Sequence, residues 1–248
     1  MRDGPLIAEF GRARRDGGLA VLEGLHAVKH ALRFGAAFEV IATVDRERLA
    51  ALAAQLAPDV APELVARARE VDAEVFEGLV PLAPSTGVVA IAVRPAFDAG
   101  AALASRPDRP AVLLENPRDL GNLGAAVRVA AAADAAALVS TGTHDPWQPD
   151  ALRGGAGLQF ALPVGRVDSP LNLERSGRQL VALDPAGDEV ASLAPGGPLL
   201  LAFGTERDGV SQPLLDAADA RVRIPMREGV SSLNLATAVA ATLYSLAR

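Results

Sequence analysis

The chain has 248 residues, half of them hydrophobic, with no cysteine and a formal net charge of −6. That length holds one large domain or two of roughly 100–150 residues; the apolar content excludes a disordered chain, and the missing cysteines exclude disulfides and thiolate metal sites. The acidic balance argues against a strongly basic nucleic-acid binder, although net charge governs non-specific affinity and leaves a local site open.

Residues 1–16 mix Arg and Asp with few apolar residues, unlike a secretory signal. Apolar residues at helical spacing over 23–32 predict a helix that Gly35 ends. A strand over 38–44 and an amphipathic helix over 46–56, stopped by Pro58, come next. A short strand over 71–76 and a buried strand over 87–93 complete a first unit, 1–95. Residues 96–110, rich in Pro, Ala and Asp and without strand pattern, read as a linker.

The second unit, 111–248, resumes the alternation with a strand at 111–115, an Ala-rich helix at 124–136 and a strand at 138–141. It continues with a strand at 198–203, a helix at 212–218, a short strand at 221–224 and a helix at 232–246. Strands alternating with helices imply an α/β protein with a mainly parallel sheet covered on both faces. The uncharged stretch 229–247 is nearly long enough to span a bilayer. Ser232, Asn234, Thr237, Thr242 and Ser245 would be expensive in hydrocarbon, so it reads as a buried helix.

Ligands of open parallel sheets bind beyond the carboxyl ends of the strands. Three polar, glycine-bearing segments follow strands in the second unit: 116–128 (NPRDLGNLGAAVR), 204–209 (GTERDG) and 224–234 (IPMREGVSSLN). Gly121-Asn122-Leu123-Gly124 opening a helix could seat a phosphate on free backbone N–H groups, but neither GxGxxG nor GxxxxGK[ST] is present, so a dinucleotide or phosphate-loop site is poorly supported. Taken singly, Arg128 also reads as a solvated helix arginine, and Glu206 as a loop carboxylate accepting backbone N–H groups. Ser231 or Ser232 reads equally as the N-cap of the last helix, with Asn234 in its first turn. His26 and His30 share a helix face but lack a third ligand nearby, so no metal site is read there. His144 stands in a loop beside Pro146 and Trp147, near the pocket rather than in it.

Together, in this order and spacing, the three segments resemble the motifs of the SpoU/TrmH family of RNA ribose methyltransferases, of the SPOUT superfamily. Gly121 to Gly124 with Arg128 is similar to the first motif, 204–209 to the second, and Ile224-Pro225-Met226 through Ser232-Leu233-Asn234 to the third. Residues 22–28 (LEGLHAV) and 87–91 (GVVAI) resemble the small ribosomal-protein-like domain that helps many members bind RNA. The resemblance implies a methyltransferase domain with a C-terminal trefoil knot, which connection rules would not suggest. It also implies a cytoplasmic homodimer with the site at the subunit junction, using S-adenosyl-L-methionine to methylate a ribose 2′-hydroxyl. It makes Asn122, Arg128, Glu206, Ser232 and Asn234 the polar catalytic set, and Thr141, Gly204, Ile224 and Leu233 the cofactor contacts. No metal is needed. The N-terminal unit favours ribosomal over transfer RNA; a non-catalytic RNA-binding protein of the same fold is the remaining alternative. Leu120 stands where many members have proline, Arg153-Gly154-Gly155-Ala156-Gly157 has glycine at a Ser/Ala position, and the third motif continues Leu235-Ala236-Thr237 rather than Val-Ser-Val.

Overall fold

A computed structural model describes residues 4–194, 197–205, 207–230 and 232–246. It divides the chain into two units: residues up to Ala96 together with Trp147–Ala161, and Phe97–Pro146 together with the residues from Leu162 on.

The first unit opens with α1 (Gly4–Ala13), β1 (Leu19–Glu23), α2 (Leu25–Arg33) and β2 (Phe38–Thr43). It continues with α3 (Arg46–Leu56), α4 (Ala61–Arg67), β3 (Ala68–Glu70), α5 (Ala73–Leu79) and β4 (Val88–Val93). The strands lie in the order β1-β4-β2-β3, with β4 antiparallel to both neighbours and β2 parallel to β3. Because side chains alternate along a strand, Leu22, Ile41 and Ala90 pack on α2 and α3, whereas Val21, Ala42, Val89 and Ile91 face α1 and α5. Helices on both faces explain why β4 is an unbroken apolar run.

One reading of this unit is corrected and one element is added. No strand runs over 71–76: β3 ends at Glu70, and Ala73–Leu79 forms α5, since Phe76 and Leu79 bury one helical face. The helix over Gly4–Ala13 is not read from the sequence. Leu6, Phe10 and Ala13 seat α1 on the sheet, with Phe10 fully buried.

The second unit contains α6 (Ala99–Ala104), β5 (Ala111–Leu114), α7 (Leu120–Ala132) and β6 (Leu138–Ser140); α8 (Pro149–Gly154), next in the chain, belongs to the first unit. The second unit resumes with β7 (Val164–Arg166), β8 (Gln179–Glu189), β9 (Leu199–Phe203), α9 (Gln212–Asp216), β10 (Ala220–Arg223) and α10 (Leu235–Leu246). Among the described residues the sheet runs β10-β8-β9-β5-β6-β7 with every pairing parallel. One face buries Leu113, Val139, Leu180 and Leu200 with Leu103 of α6 and Leu214 of α9. Helix α10 packs along α7, burying Val239 and Leu243. No described helix is long and apolar enough to cross a membrane.

The stretch read as a linker carries α6, capped by Asp98, whose carboxylate accepts the Ala101 N–H at 2.8 Å. Buried Arg178 holds the chain after it, donating to the carbonyl oxygens of Leu103 (2.8 Å), Arg106 (2.8 Å) and Arg109 (2.6 Å). Burial lowers the Arg178 pKa from its ordinary value.

Residues 147–161 belong to the first unit, although the linear reading assigned them to the second. Trp147 is buried and meets Phe160 edge to face at 5.0 Å, and the Arg94 guanidinium lies 5.4 Å from the Trp147 ring. The His30 Nδ1–H donates to the Ala156 carbonyl at 2.8 Å. Gly157, with φ +73°, lies so close to the Ala27 backbone that a Cβ there has no room. Arg153 and Arg14 grip the two oxygens of the Glu23 carboxylate at 2.7 and 2.8 Å, and that side chain is only 5% exposed. The Arg153 guanidinium resembling the family's Arg-x-Ser/Ala-x-Gly segment is thus engaged inside this unit.

Candidate active site

Parallel pairing puts the carboxyl ends of β5, β8, β9 and β10 on one edge of the sheet, where the three motif segments leave it. At this edge β10 shifts its partner on β8: Arg221 pairs with Ala182, yet the next residue, Val222, pairs with Asp188. Residues 183–187 are therefore skipped by the ladder, an irregular bulge of the strand beside the site. Gly187 permits it, because a Cβ there would meet the Arg221 backbone.

The bulge walls a cavity of about 310 Å³. Leu183, Phe203, Val222, Ile224, Leu233 and Leu235 supply apolar surface, while Asp184, Arg207, Asp208 and Ser232 supply polar groups. The second motif forms a tight turn: Thr205 and Gly209 exchange backbone hydrogen bonds at 3.0 and 3.1 Å. Gly204 lies so close to the backbone of Gly209 and Val210 that any side chain would open the turn. Gly209, at φ +69°, takes the left-handed conformation that glycine adopts without strain.

The first and third motifs meet in one hydrogen bond. The Asn234 Nδ2 donates to Asn122 Oδ1 at 2.7 Å. Asn122 lies in the first turn of α7, where its N–H donates to the capping carboxylate of Asp119 at 2.6 Å. The other end of the Asn234 amide caps α10: its Oδ1 accepts the N–H groups of Ala236 (3.0 Å) and Thr237 (3.3 Å). This corrects the expected cap: Asn234 is the capping residue, the helix begins at Leu235, and Ser232 precedes it on the cavity wall. The helix expected from residue 124 likewise starts earlier, at Leu120.

Of the residues assigned by resemblance, Gly204, Ile224, Ser232 and Leu233 line the cavity. Asn234 sits between two lining residues and brings Asn122 with it. Arg128 is exposed on α7 and is not part of the cavity wall. Thr141 is buried outside the wall, its hydroxyl accepting the Asn116 N–H at 3.0 Å. Glu206 and Ser231 lie outside the described residues. His144 Nε2 donates to the Arg118 carbonyl at 3.1 Å, at the start of the first motif. Sequence reasoning missed Leu183, Asp184 and Pro185, because a bulge between two pairing registers leaves no periodic trace. Asp119 could have been found from its place just before a helical pattern.

Known proteins share this fold. The model of the SpoU rRNA methylase family matches residues 109–244. A tRNA/rRNA methyltransferase of Synechocystis, slr1673, is 31% identical over 96% of this chain and 86% of that one. The 23S rRNA (uridine(2479)-2'-O)-methyltransferase of Streptomyces viridochromogenes is 35% identical over 65% of this chain and 60% of that one. Among solved structures, the SpoU methyltransferase AviRb of S. viridochromogenes in complex with AdoMet superposes with a TM-score of 0.78 at 28% identity, covering 97% of both chains. The AdoMet-bound rRNA methyltransferase of Sinorhizobium meliloti gives a TM-score of 0.78 at 27% identity, over 99% of this chain and 95% of that one. The protein described here belongs to the SpoU rRNA methylase family. It is an RNA methyltransferase with the α/β, parallel-sheet domain of that family.

Proposed function

We propose that this enzyme methylates a ribose 2′-hydroxyl of ribosomal RNA, using S-adenosyl-L-methionine bound in the cavity at the ends of β8, β9 and β10. The observation that carries the reading is the Asn234–Asn122 hydrogen bond, which joins the first motif to the cavity formed by the other two. The cavity fits the cofactor in size and chemistry. Its volume reaches the range of small-molecule sites, its apolar walls suit a heteroaromatic ring, and Ser232 and the turn at 204–209 offer hydrogen-bonding groups.

When bound, S-adenosyl-L-methionine supplies an electrophilic methyl group on a sulfonium. The chain's own residues then bind, orient and balance charge. Gly204, Ile224 and Leu233 would hold the cofactor largely through backbone groups, and Thr141 would support the adjoining strand end. Asn122 and Asn234 fix the first motif against the pocket and would thereby orient the ribose toward the cofactor; such positioning supplies much of the acceleration in transfers of this kind. Arg128 is read as a clamp with a planar fork of donors. It would grip an RNA phosphate and stabilise the charge that develops on the ribose oxygen. Glu206 and Ser232 complete the polar set by resemblance.

The reading includes RNA binding by the first unit, a knotted C-terminal segment, a cytoplasmic setting and a homodimer with its site at the subunit junction. The exposed faces of α7 and α10 support association: Ala132 is exposed on α7, and Thr237, Ala241 and Tyr244 share one face of α10, Tyr244 at 52% exposure. The test is methyl transfer from labelled S-adenosyl-L-methionine to purified ribosomal or transfer RNA, followed by mapping of 2′-O-methyl positions. Label in a base, or in transfer RNA alone, would overturn the assignment.

A further inference from the structure

We infer that Glu115 is a positioning residue, a carboxylate clamp that fixes the cavity's turn at 204–209 against the start of the first motif. The inference rests on the reading of the cavity as the cofactor site. Glu115 follows the last residue of β5, and its N–H donates to the Phe203 carbonyl at 2.8 Å, extending the link to β9. Its side chain turns to a single residue of the neighbouring segment. Oε2 accepts the Ser211 N–H at 2.7 Å, and Oε1 accepts the Ser211 hydroxyl at 2.6 Å.

Two charge-assisted bonds to one residue fix direction as well as distance. Ser211 lies two positions beyond Gly209, which closes the turn with Thr205. On the other side of Glu115, Asn116 takes φ 48° and begins the first motif, its N–H held by Thr141 Oγ1. One carboxylate therefore ties the exit of the turn to the entry of the segment that bears Asn122. Donating its proton to Glu115 also points a Ser211 lone pair toward the Leu214 N–H, 3.4 Å away, so the clamp and the cap of α9 share one hydroxyl. Without the acid the turn keeps its sequence but samples more positions, and a ligand must order it on binding.

The test pairs calorimetry of S-adenosylhomocysteine binding with hydrogen exchange of the amides of 204–211, in the full-length wild type, Glu115→Ala, Glu115→Gln and Ser211→Ala. Glu115→Ala is expected to weaken binding about tenfold, the scale of a lost charged hydrogen bond. It should speed exchange at Gly209 and Ser211 while protection in β5 and α10 holds. Glu115→Gln, which keeps one acceptor oxygen, should recover most of both, and Ser211→Ala, which keeps the N–H bond, should fall between. Unchanged affinity and exchange in Glu115→Ala would overturn the clamp, as would exchange rising evenly across the second unit. If Glu115→Ala does not fold, Glu115→Gln and Ser211→Ala carry the same comparison. A wild type that binds no S-adenosylhomocysteine would overturn the cavity reading instead, and local exchange would then decide the clamp alone.

Discussion

Asn234 and Asn122, 112 positions apart in sequence, share a hydrogen bond of 2.7 Å, and the same Asn234 amide caps the last helix with its oxygen. One side chain therefore carries a structural bond on one atom and a site bond on the other. Asn234→Asp separates them, because a carboxylate still accepts the cap N–H groups but cannot donate to Asn122 Oδ1. The expected outcome is a melting temperature near that of wild type and a methyl-transfer rate at least tenfold lower. Asn234→Ala should lose the rate and also about 1 kcal/mol of stability, the usual cost of a lost cap. Thermal melts and single-turnover transfer on the two variants separate the two roles; equal melting losses in both would contradict the division.

Arg128 divides two mechanisms. Lysine keeps a positive charge and can titrate, but lacks the planar fork that holds two oxygens at once. If Arg128 is a charged clamp, Arg128→Lys should stay slow and should not gain rate with pH, since deprotonation removes the useful charge. Single-turnover methylation against pH, with RNA saturating, decides the matter. A rate in Arg128→Lys that climbs toward the lysine pKa would instead identify a base.

Gly204→Ala places a methyl group on the backbone of Gly209 and Val210. The turn must open, so S-adenosylhomocysteine affinity should drop beyond calorimetric detection while the first unit is untouched. Strain of this kind falls among the larger single-residue effects, about 2–4 kcal/mol. An alanine variant that binds like wild type would remove the turn from the cofactor site.

His30 makes the first unit sensitive to acid. Burial is the main cause that lowers its pKa from the ordinary value of 6.5, outweighing the hydrogen bond to Ala156, which raises it. The unfolded chain therefore takes up a proton more readily than the folded one, and folded stability must fall as pH drops below the unfolded value. Melting temperatures at pH 7.5 and 5.5 should diverge for the wild type and diverge less for His30→Asn. An unchanged difference in the variant would assign the acid sensitivity to other groups.

Much of this architecture was legible from local pattern. The helix at 46–56 has Asp45 as its cap, and its bounds agree with the periodic reading. Strands β7 and β8 went unread, whereas β5, β6 and β9 were plain because each is a short apolar run between turn residues. Three kinds of feature were not. Helix α1 has its apolar positions diluted among charges, and only the sheet beneath gives Leu6 and Phe10 a purpose. Strand β8 follows two registers, so Leu183 to Pro185 reach the cavity wall by a shift that composition does not record. Asn122 and Asn234 were nameable as site residues by resemblance alone; their mutual bond depends on α10 returning along α7, a tertiary fact.

The path of the chain bears on how the protein is made. Residues 147–161 fill the first unit's core with Trp147 and Leu152, yet they emerge from the ribosome only after β5, α7 and β6 of the other unit. A nascent polypeptide of 120 residues should thus have a hydrophobic slot beside α2 with nothing to fill it, and wait for later synthesis to close it. Stalled chains probed with protease should be cleaved readily in the first 96 residues at that length and become resistant once residue 161 has cleared the exit tunnel. The same threading forbids simple cut-and-paste inheritance of the N-terminal module, because a graft ending at Ala96 would leave part of its own interior behind in the donor.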